Sequence, residues 1–171
     1  MDVLARLKQL VQRDRFVHKG QCGRVGVFAG SQTMAGAAVL VGKAAFRSGS
    51  GLVYTYCQEE FMRLALLAQC PELIGIYLDH DLLQSNQWEQ DVKHRGIEVL
   101  AVGPGLGRTI GSVGLLHRLI SYACLAKLRV VLDADGLNGL TVDQLQHCQV
   151  NSMVLTPHEG EFKQFFPTLS S

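Results

Sequence analysis

The sequence has no marked excess of charge of either sign. Sixteen Lys and Arg residues stand against fifteen Asp and Glu residues, which gives a formal net charge of +1 at pH 7. Without a broad electrostatic field, the chain is not expected to bind nucleic acid or an anionic lipid surface. A local site needs no net charge, so a small neutral or anionic ligand stays open as a partner.

The chain also lacks paired cysteines and long apolar runs. Its five cysteines contain no C-x-x-C pair, and their odd number and wide spacing predict a reducing compartment with buried or idle thiols. The first fifteen residues mix charges into an amphipathic pattern, which predicts a short helix rather than a secretory signal. No run approaches the length of a transmembrane helix. The sequence therefore predicts a cytoplasmic protein with no membrane partner.

Proline is scarce, at 4 of 171 residues, whereas 47% of the residues are hydrophobic. This composition is typical of globular proteins and excludes disordered and collagen-like chains. The length is sufficient to bury a substantial core within one domain. Because the sequence shows neither an internal repeat nor a linker, it predicts a single domain over residues 1–171.

Apolar runs of strand length alternate with segments of helical period, an order typical of βαβ units and a mainly parallel sheet. Strands are predicted at residues 24–29, 52–57, 73–78, 98–102, 130–133 and 153–156. Helices are predicted over residues 34–48, 59–68 and 111–127. Residues 79–93 form a polar segment that holds the only tryptophan, Trp88. The predicted fold class is therefore α/β, with a central sheet flanked by helices.

Four loops that are polar or rich in glycine directly follow predicted strands. Their sequences are GSQTMAG at 30–36, GPGLG at 103–107, DADGLN at 133–138 and TPHEGE at 156–161. Since the carboxyl ends of parallel strands lie along one edge of the sheet, these loops should converge on one ligand-binding crevice. The first loop lacks the ending of a P-loop, and Arg108 replaces the last glycine of G-x-G-x-x-G in the second. Taken singly, each loop is equally well explained as a strand-to-helix turn.

Two of these loops carry side chains with possible chemical roles. Asp133 and Asp135 could hold a cation through water or cap the helix that begins near Gly136, and the cap is the better interpretation of an isolated D-x-D-G. His158 and Glu159 open a helix whose free N–H groups could meet a phosphate or carboxylate, although a lone histidine is more often structural. The other five histidines show no metal-ligand spacing, so no transition-metal site is predicted.

The order of six motifs along the chain identifies a family. The motifs are His18-Lys19-Gly20, the run AGSQTMAGAAVLVGKAAFRSGSGLV at 29–53, Pro71-Glu72, VGPGLGR at 102–108, VVLDADGLN at 130–138 and LTPHEGEF at 155–162. Over about residues 13–166 the chain resembles the NAD(P)H-hydrate dehydratases. The resemblance implies a ribokinase-like fold and a carbon–oxygen lyase of metabolite repair. Such an enzyme uses ADP or ATP with Mg²⁺ to dehydrate NADHX and NADPHX to NADH and NADPH.

The resemblance also implies a set of binding residues. Ala37, Gly105 and His158 would contact the hydrated dinucleotide. The start of the last helix, from His158 through Glu159, Gly160 and Glu161 to Gln164, would supply backbone donors to the same ligand. Asp133 and Asn138 would support the crevice from its edge.

The sequence departs from the family in one respect. Family members carry, after the TPHxGE helix, a lysine-glycine segment that binds the adenine nucleotide and a G-S-G-D loop that supplies an anion hole and the catalytic aspartate. Phe166 is followed here only by PTLSS, so no catalytic aspartate can be named. The expectation is a partial domain, truncated on its C-terminal side and inactive alone.

Truncation of a parallel sheet also predicts an unpaired edge and an exposed apolar face. That surface would favour a homo-oligomer. Two alternatives to a dehydratase stay open: a non-catalytic remnant that binds a dinucleotide or a partner, and a small-molecule kinase of the same superfamily.

Overall fold

The computed structural model describes residues 4, 16–79, 85, 87–145 and 153–167. Within them, six strands form one sheet. The short helix predicted for the first fifteen residues lies outside the described part, apart from Leu4. All six predicted strands are present, with ends that agree to within one residue. The strands are β1 (Arg24–Phe28), β2 (Leu52–Cys57), β3 (Ile74–Tyr77), β4 (Val99–Val102), β5 (Arg129–Leu132) and β6 (Met153–Leu155).

The sheet is parallel throughout, in the order β3-β2-β1-β4-β5-β6. Strand β1 therefore lies inside the sheet, with Val25 opposite Val53 of β2 on one side and Val99 of β4 on the other. From β1 the chain adds strands first in one direction and then, from β4 onward, in the opposite direction. The predicted α/β fold with a parallel sheet is confirmed, and the loops after β1 and β4 lie at the point where the direction reverses.

Helices cover both faces of the sheet. Those of two turns or more are α1 (Ala35–Arg47), α2 (Glu60–Gln69), α3 (Gln87–His94) and α4 (Ile110–Leu125). Three shorter helices follow strands β5 and β6: α5 (Asp135–Asn138), α6 (Val142–Leu145) and α7 (Glu159–Phe165). The buried residues form two cores, one containing Ala38 of α1 and Met62 of α2, the other containing Trp88 of α3 and Leu116 of α4. The sheet separates the two cores.

Small residues let α1 approach the elements beneath it. Ala38, Val39 and Gly42 are its buried positions. A Cβ atom at Gly42 would lie 2.9 Å from Cδ1 of Leu73, closer than two carbon atoms can pack. The absence of a side chain at Gly42 therefore lets α1 pack directly on Leu73.

Helix α3 was not predicted, because residues 79–93 were taken as one polar segment. Trp88 and Val92 are spaced by one helical turn and both are buried. The exposed positions of the helix are polar: Gln87, Gln90, Lys93 and His94. The Trp88 ring packs edge-on against Phe28 and Tyr122, at centroid distances of 6.1 Å and 5.4 Å. Two apolar residues are too few to stand out in an eight-residue polar window, yet they suffice to dock the helix.

A polar cluster fastens the other end of α3 to the sheet. The Tyr56 hydroxyl donates a hydrogen bond of 2.8 Å to Oδ2 of Asp91, and Nε of Arg95 donates one of 2.7 Å to the same oxygen. Burial and the neighbouring Asp91 carboxylate raise the pKa of Tyr56, so its hydroxyl stays protonated and remains a donor.

The cysteines correct one prediction. The thiols of Cys22, Cys57 and Cys70 are free, and burial raises the pKa of Cys57 to about 12, which leaves it unreactive. Cys124, in contrast, is disulfide-bonded, so the prediction of idle thiols is wrong for this residue. Wide spacing in sequence places no limit on distances in the folded chain, which is why spacing misled the prediction.

One face of the sheet is open near β6. Val131 and Val154 lie opposite each other in the β5–β6 register, and these residues are 37% and 57% exposed. Self-association through such a surface stays a prediction, as does a cytoplasmic location. None of the helices in the described ranges has the length and apolarity that crossing a membrane requires.

Candidate functional site

The loops after β1 and β4 are joined directly at the reversal point of the sheet. The Gly30 N–H donates a hydrogen bond of 2.8 Å to the Pro104 carbonyl, and the Gly103 N–H donates one of 3.0 Å to the Phe28 carbonyl. Both glycines have positive φ, which a residue without Cβ adopts at little cost. The two loops thus form one rigid unit at the carboxyl edge, where open α/β sheets bind ligands.

Gly105 lies against the first turn of α1. Its φ is +65°, and a Cβ atom there would lie 2.9 Å from the Ala37 Cβ and 3.0 Å from the Met34 Cβ. Ala37 and Gly105, two of the predicted binding residues, are therefore in contact. The first turn of α1 has no side-chain cap, and the space beside Gly36 is open. The start of an α-helix carries the positive end of the helix dipole and N–H groups without partners in the helix. Here the Ala37 N–H donates to the Met34 carbonyl at 3.0 Å.

The turn after β5 is strained. Ala134 has φ +50° and ψ −120°, a conformation that favours glycine. Its carbonyl accepts hydrogen bonds from the Leu137 N–H, the Asn138 N–H and the Asn138 side-chain Nδ2, at 2.9, 3.2 and 3.1 Å. Asn138 thus holds the turn in its strained form; its supporting role toward a ligand stays a prediction. Asp133 contributes through its backbone, since its carbonyl accepts from the Gly136 N–H at 3.0 Å.

Asp135 does not cap the helix that it begins, so the sequence-based interpretation of this residue was wrong. No side chain caps α5. The Asp135 carboxylate instead accepts one hydrogen bond from the Gly107 N–H and one from Nε of Arg108, each 3.0 Å long. The strained turn directs the side chain toward the β4 loop rather than back onto its own helix. A third loop is thereby tied to the unit formed by the first two.

His158 caps helix α7 with its ring. Its Nδ1 atom accepts hydrogen bonds from the Gly160 N–H at 3.0 Å and the Glu161 N–H at 3.2 Å, while the His158 N–H donates to Oε2 of Glu161 at 3.0 Å. These bonds form a capping box, and Nδ1 must be unprotonated to accept them. The N–H groups of Gly160 and Glu161, which were predicted to bind the ligand, therefore already donate to the His158 ring. The His158 side chain is 73% exposed, and its outer nitrogen Nε2 lies 3.4 Å from Oε1 of Glu161.

The motif is used twice. His18-Lys19-Gly20-Gln21 forms the same capping box, with His18 Nδ1 accepting from the Gly20 N–H at 3.1 Å and the His18 N–H donating to Gln21 Oε1 at 3.1 Å. In the sequence, His18 and His158 were interpreted separately. The two segments share the capping box, although His18 begins a 3-10 helix (Lys19–Gln21) and His158 begins an α-helix.

The predicted residues fall into two groups along the sheet edge. Ala37 and Gly105 meet at the β1–β4 junction, whereas Asn138 and Glu161 line a cavity of about 480 Å³ between α5, α6 and α7. Glu159 is exposed and pairs with Lys163, and Gly160 lies in the α7 cap. Strands β1 and β6 are three steps apart, which corresponds to about 14 Å. The two groups therefore lie apart along the sheet edge rather than in one compact pocket.

Within the part of the chain that the structure describes, no three His, Cys, Asp or Glu side chains could jointly hold a metal ion. The sequence-based analysis missed the link from Asp135 to Gly107 and Arg108. An acidic D-x-D after one strand and an arginine after the neighbouring glycine loop were the available signal, because neighbouring loops with opposite charges are expected to pair.

Comparison with known proteins gives consistent matches. A family model described as NAD(P)H-hydrate dehydratase matches residues 25–171. The bifunctional NAD(P)H-hydrate repair enzyme of Methanopyrus kandleri is 33% identical over 156 residues, which are 91% of this chain and 28% of the relative. The ATP-dependent (S)-NAD(P)H-hydrate dehydratase of Aedes aegypti is 32% identical over 151 residues, which are 87% of this chain and 44% of the relative. The chain thus spans less than half the length of these two relatives.

Solved structures agree with the fold. A Bacillus subtilis ADP/ATP-dependent NAD(P)H-hydrate dehydratase, co-crystallized with ATP and Mg²⁺, is 27% identical with a TM-score of 0.68 and covers 91% of this chain and 51% of its own. A ribokinase-like superfamily protein from Enterococcus faecalis has a TM-score of 0.79 at 21% identity, over 93% of this chain and 54% of its own. The second match supports the fold alone.

Proposed function

The chain belongs to the NAD(P)H-hydrate dehydratase family, and from this premise we propose that the protein takes part in the ADP- or ATP-dependent dehydration of NADHX and NADPHX. In this proposal, Ala37, Gly105 and His158 contact the hydrated dinucleotide. The observation that carries the proposal is the contact of Gly105 with Ala37 at the reversal point of the sheet. It joins two family motifs into one surface at the position where α/β sheets bind dinucleotides.

The chemistry of that surface suits a phosphorylated ligand. The first turn of α1 is built from Ala35, Gly36 and Ala37, whose small side chains leave room beside the helix backbone. An uncapped helix start offers N–H donors and a positive dipole to a phosphate group. Gly105 lets the β4 loop approach this helix start closely, which closes the crevice on one side.

Adenine nucleotide and Mg²⁺ are part of the proposal through the family alone. The described residues supply no group of three metal-binding side chains, so we assign no residue to Mg²⁺ and derive no step through it. Asp135 is engaged by Gly107 and Arg108 and is not offered to a cation. The role derived for this chain is to bind and orient the dinucleotide.

Gly105→Ala is expected to weaken NADPHX binding at least tenfold, about 1.4 kcal/mol. The new methyl group would press on Ala37, and the residue would have to keep φ at +65°. Isothermal titration of the folded variant with NADPHX measures the effect. Gly114→Ala is the control, because Gly114 is exposed on α4 and a Cβ there meets nothing within 4 Å. Equal affinity in the two variants would remove Gly105 from the site.

Turnover separates an enzyme from the alternative, a non-catalytic dinucleotide-binding protein. The assay follows recovery of the NADH absorbance from NADHX and requires that it depend on added ADP or ATP. Nucleotide-dependent recovery supports the dehydratase. Saturable binding of NADPHX without any recovery supports the binding protein, and absence of binding contradicts both.

His158 is expected to act both as a cap and as a ligand contact, and two variants separate these roles. His158→Ala removes the acceptor for two N–H groups and should lower the free energy of unfolding by about 1 kcal/mol. His158→Asn keeps an acceptor at the N-cap and should preserve stability. If the imidazole touches the dinucleotide, both variants bind NADPHX more weakly. Normal affinity in His158→Asn would show that the ring is structural only.

A further inference from the structure

Arg108 stands where three loops of the crevice meet. It directly follows Gly107. A Cβ atom at Gly107 would lie 3.9 Å from the Cβ of Ser31 in the β1 loop and 3.8 Å from the Oγ of Ser112 on α4. On the third side, the Asp135 carboxylate binds the Gly107 N–H and Arg108 Nε. The guanidinium is therefore attached to the same rigid unit that carries the Gly105–Ala37 contact.

The pair of Arg108 and Asp135 is asymmetric in exposure. The Asp135 side chain is 15% exposed, whereas that of Arg108 is 64% exposed. The carboxylate is largely buried and accepts two hydrogen bonds from the β4 loop, so it holds this loop and the Arg108 side chain in place. The arginine uses only Nε for this contact, and within the described residues its two Nη groups make no hydrogen bond.

An arginine in this state is suited to bind an anion. A guanidinium has five N–H donors in a fixed plane, so one edge can stay on a carboxylate while the terminal nitrogens bind two oxygens of a phosphate. Holding Nε in place reduces the side-chain freedom that phosphate binding would otherwise remove. We propose that Arg108, oriented by Asp135, binds a phosphate group of the hydrated dinucleotide. This inference rests on the proposed function for the identity of the ligand.

The test compares Arg108→Gln with Arg129→Gln. Arg129 is an equally exposed arginine, also 64%, paired with Glu98 at 3.1 Å, but it begins β5 and so lies at the opposite edge of the sheet. By calorimetry we expect Arg108→Gln to weaken NADPHX binding about tenfold, as for loss of a charge-assisted hydrogen bond. Arg129→Gln should bind like the unmodified protein, and Arg108→Lys should recover only part of the affinity.

Three further ligands identify the group that is bound. Reduced nicotinamide riboside has no phosphate and should bind the Arg108→Gln variant as it binds the unmodified protein, whereas inorganic pyrophosphate should lose affinity. If Arg108→Gln loses affinity for ADP but not for NADPHX, or binds NADPHX as Arg129→Gln does, the proposal is overturned.

Binding of pyrophosphate tests the Arg108 site independently of the proposed dehydratase function. Arg108-dependent binding of pyrophosphate in a protein that does not bind NADPHX would sustain the phosphate site and contradict the dehydratase proposal. Failure to bind either ligand overturns both.

The orienting role of Asp135 has its own readout. In Asp135→Ala, the Gly107 amide should exchange its hydrogen faster without any ligand, because its acceptor is gone. In that background Arg108→Gln should reduce NADPHX affinity less than it does alone. Strictly additive effects of the two substitutions would mean that Asp135 does not position Arg108.

Discussion

Gly103→Ala is expected to lower the free energy of unfolding by at least about 3 kcal/mol, among the largest effects of a single substitution. A Cβ at this position would overlap the Asp133 carbonyl oxygen and lie 2.7 Å from the Gly136 nitrogen. The backbone would also have to keep φ at +122° with a side chain present. Since the Asp133 carbonyl accepts the Gly136 N–H, moving it aside would break the turn after β5.

Urea unfolding followed by circular dichroism measures this effect, and Gly114→Ala is again the matched control. Gly114 lies within α4 with open space around it, so alanine there should stabilise the helix by about 0.5 to 1 kcal/mol. If Gly103→Ala lowers the free energy of unfolding and Gly114→Ala raises it, the loss of stability is specific to the β4–β5 junction. A Gly103→Ala protein that unfolds at the same urea concentration as the unmodified protein would show that the junction has room to relax.

Trp88→Ala is expected to cost about 3 to 5 kcal/mol, the usual range for removing a large buried aromatic side chain. Trp88 is fully buried between the sheet and α4, and it packs against both Phe28 and Tyr122. Alanine would leave a cavity and detach α3 from the core. The loss should appear as a lower midpoint of thermal and urea unfolding.

Trp88→Phe and Leu125→Ala complete that experiment. Phenylalanine keeps most of the packing and removes an indole N–H that has no hydrogen-bond partner within the described residues, so its cost should be clearly smaller. Leu125 is 85% exposed, and its replacement should change stability by less than about 0.5 kcal/mol. A Trp88→Ala effect as small as that of Leu125→Ala would contradict the packing of α3.

The sequence was sufficient to place the strands because buried parallel strands are continuous apolar runs between turn residues. Runs such as LVYTYC and VVLD carry this signal, and each became a strand of the sheet. Helix α3 could not be recognised in the same way. The helix is held by Trp88, which packs on Phe28 and Tyr122, and by Asp91, which accepts a hydrogen bond from Tyr56. These partners are far away in the sequence, so the contacts leave no local sequence pattern.

The site was predictable in part. The position of the glycine loops after strands predicted that they lie close together, and Gly105 and Ala37 are in contact. Ligand binding at this contact stays a prediction. The partner of Asp135 was not predictable, because its direction depends on the strained backbone of Ala134, which local residue preference disfavours. Likewise, only the structure shows that the His158 ring uses Nδ1 for its own helix.

The central place of β1 has a consequence for folding during synthesis. Strand β2 follows β1 after a single helix, but the partner on the other side, β4, is made roughly 70 residues later. At usual rates of translation, the backbone groups on one edge of β1 therefore stay unpaired for about 4 to 15 seconds, until β4 has been synthesised. During that interval a β1-β2-β3 unit is complete on one side only. Any treatment that slows the ribosome between residues 58 and 98 should therefore prolong the interval in which the nascent chain is most prone to pair with a wrong strand.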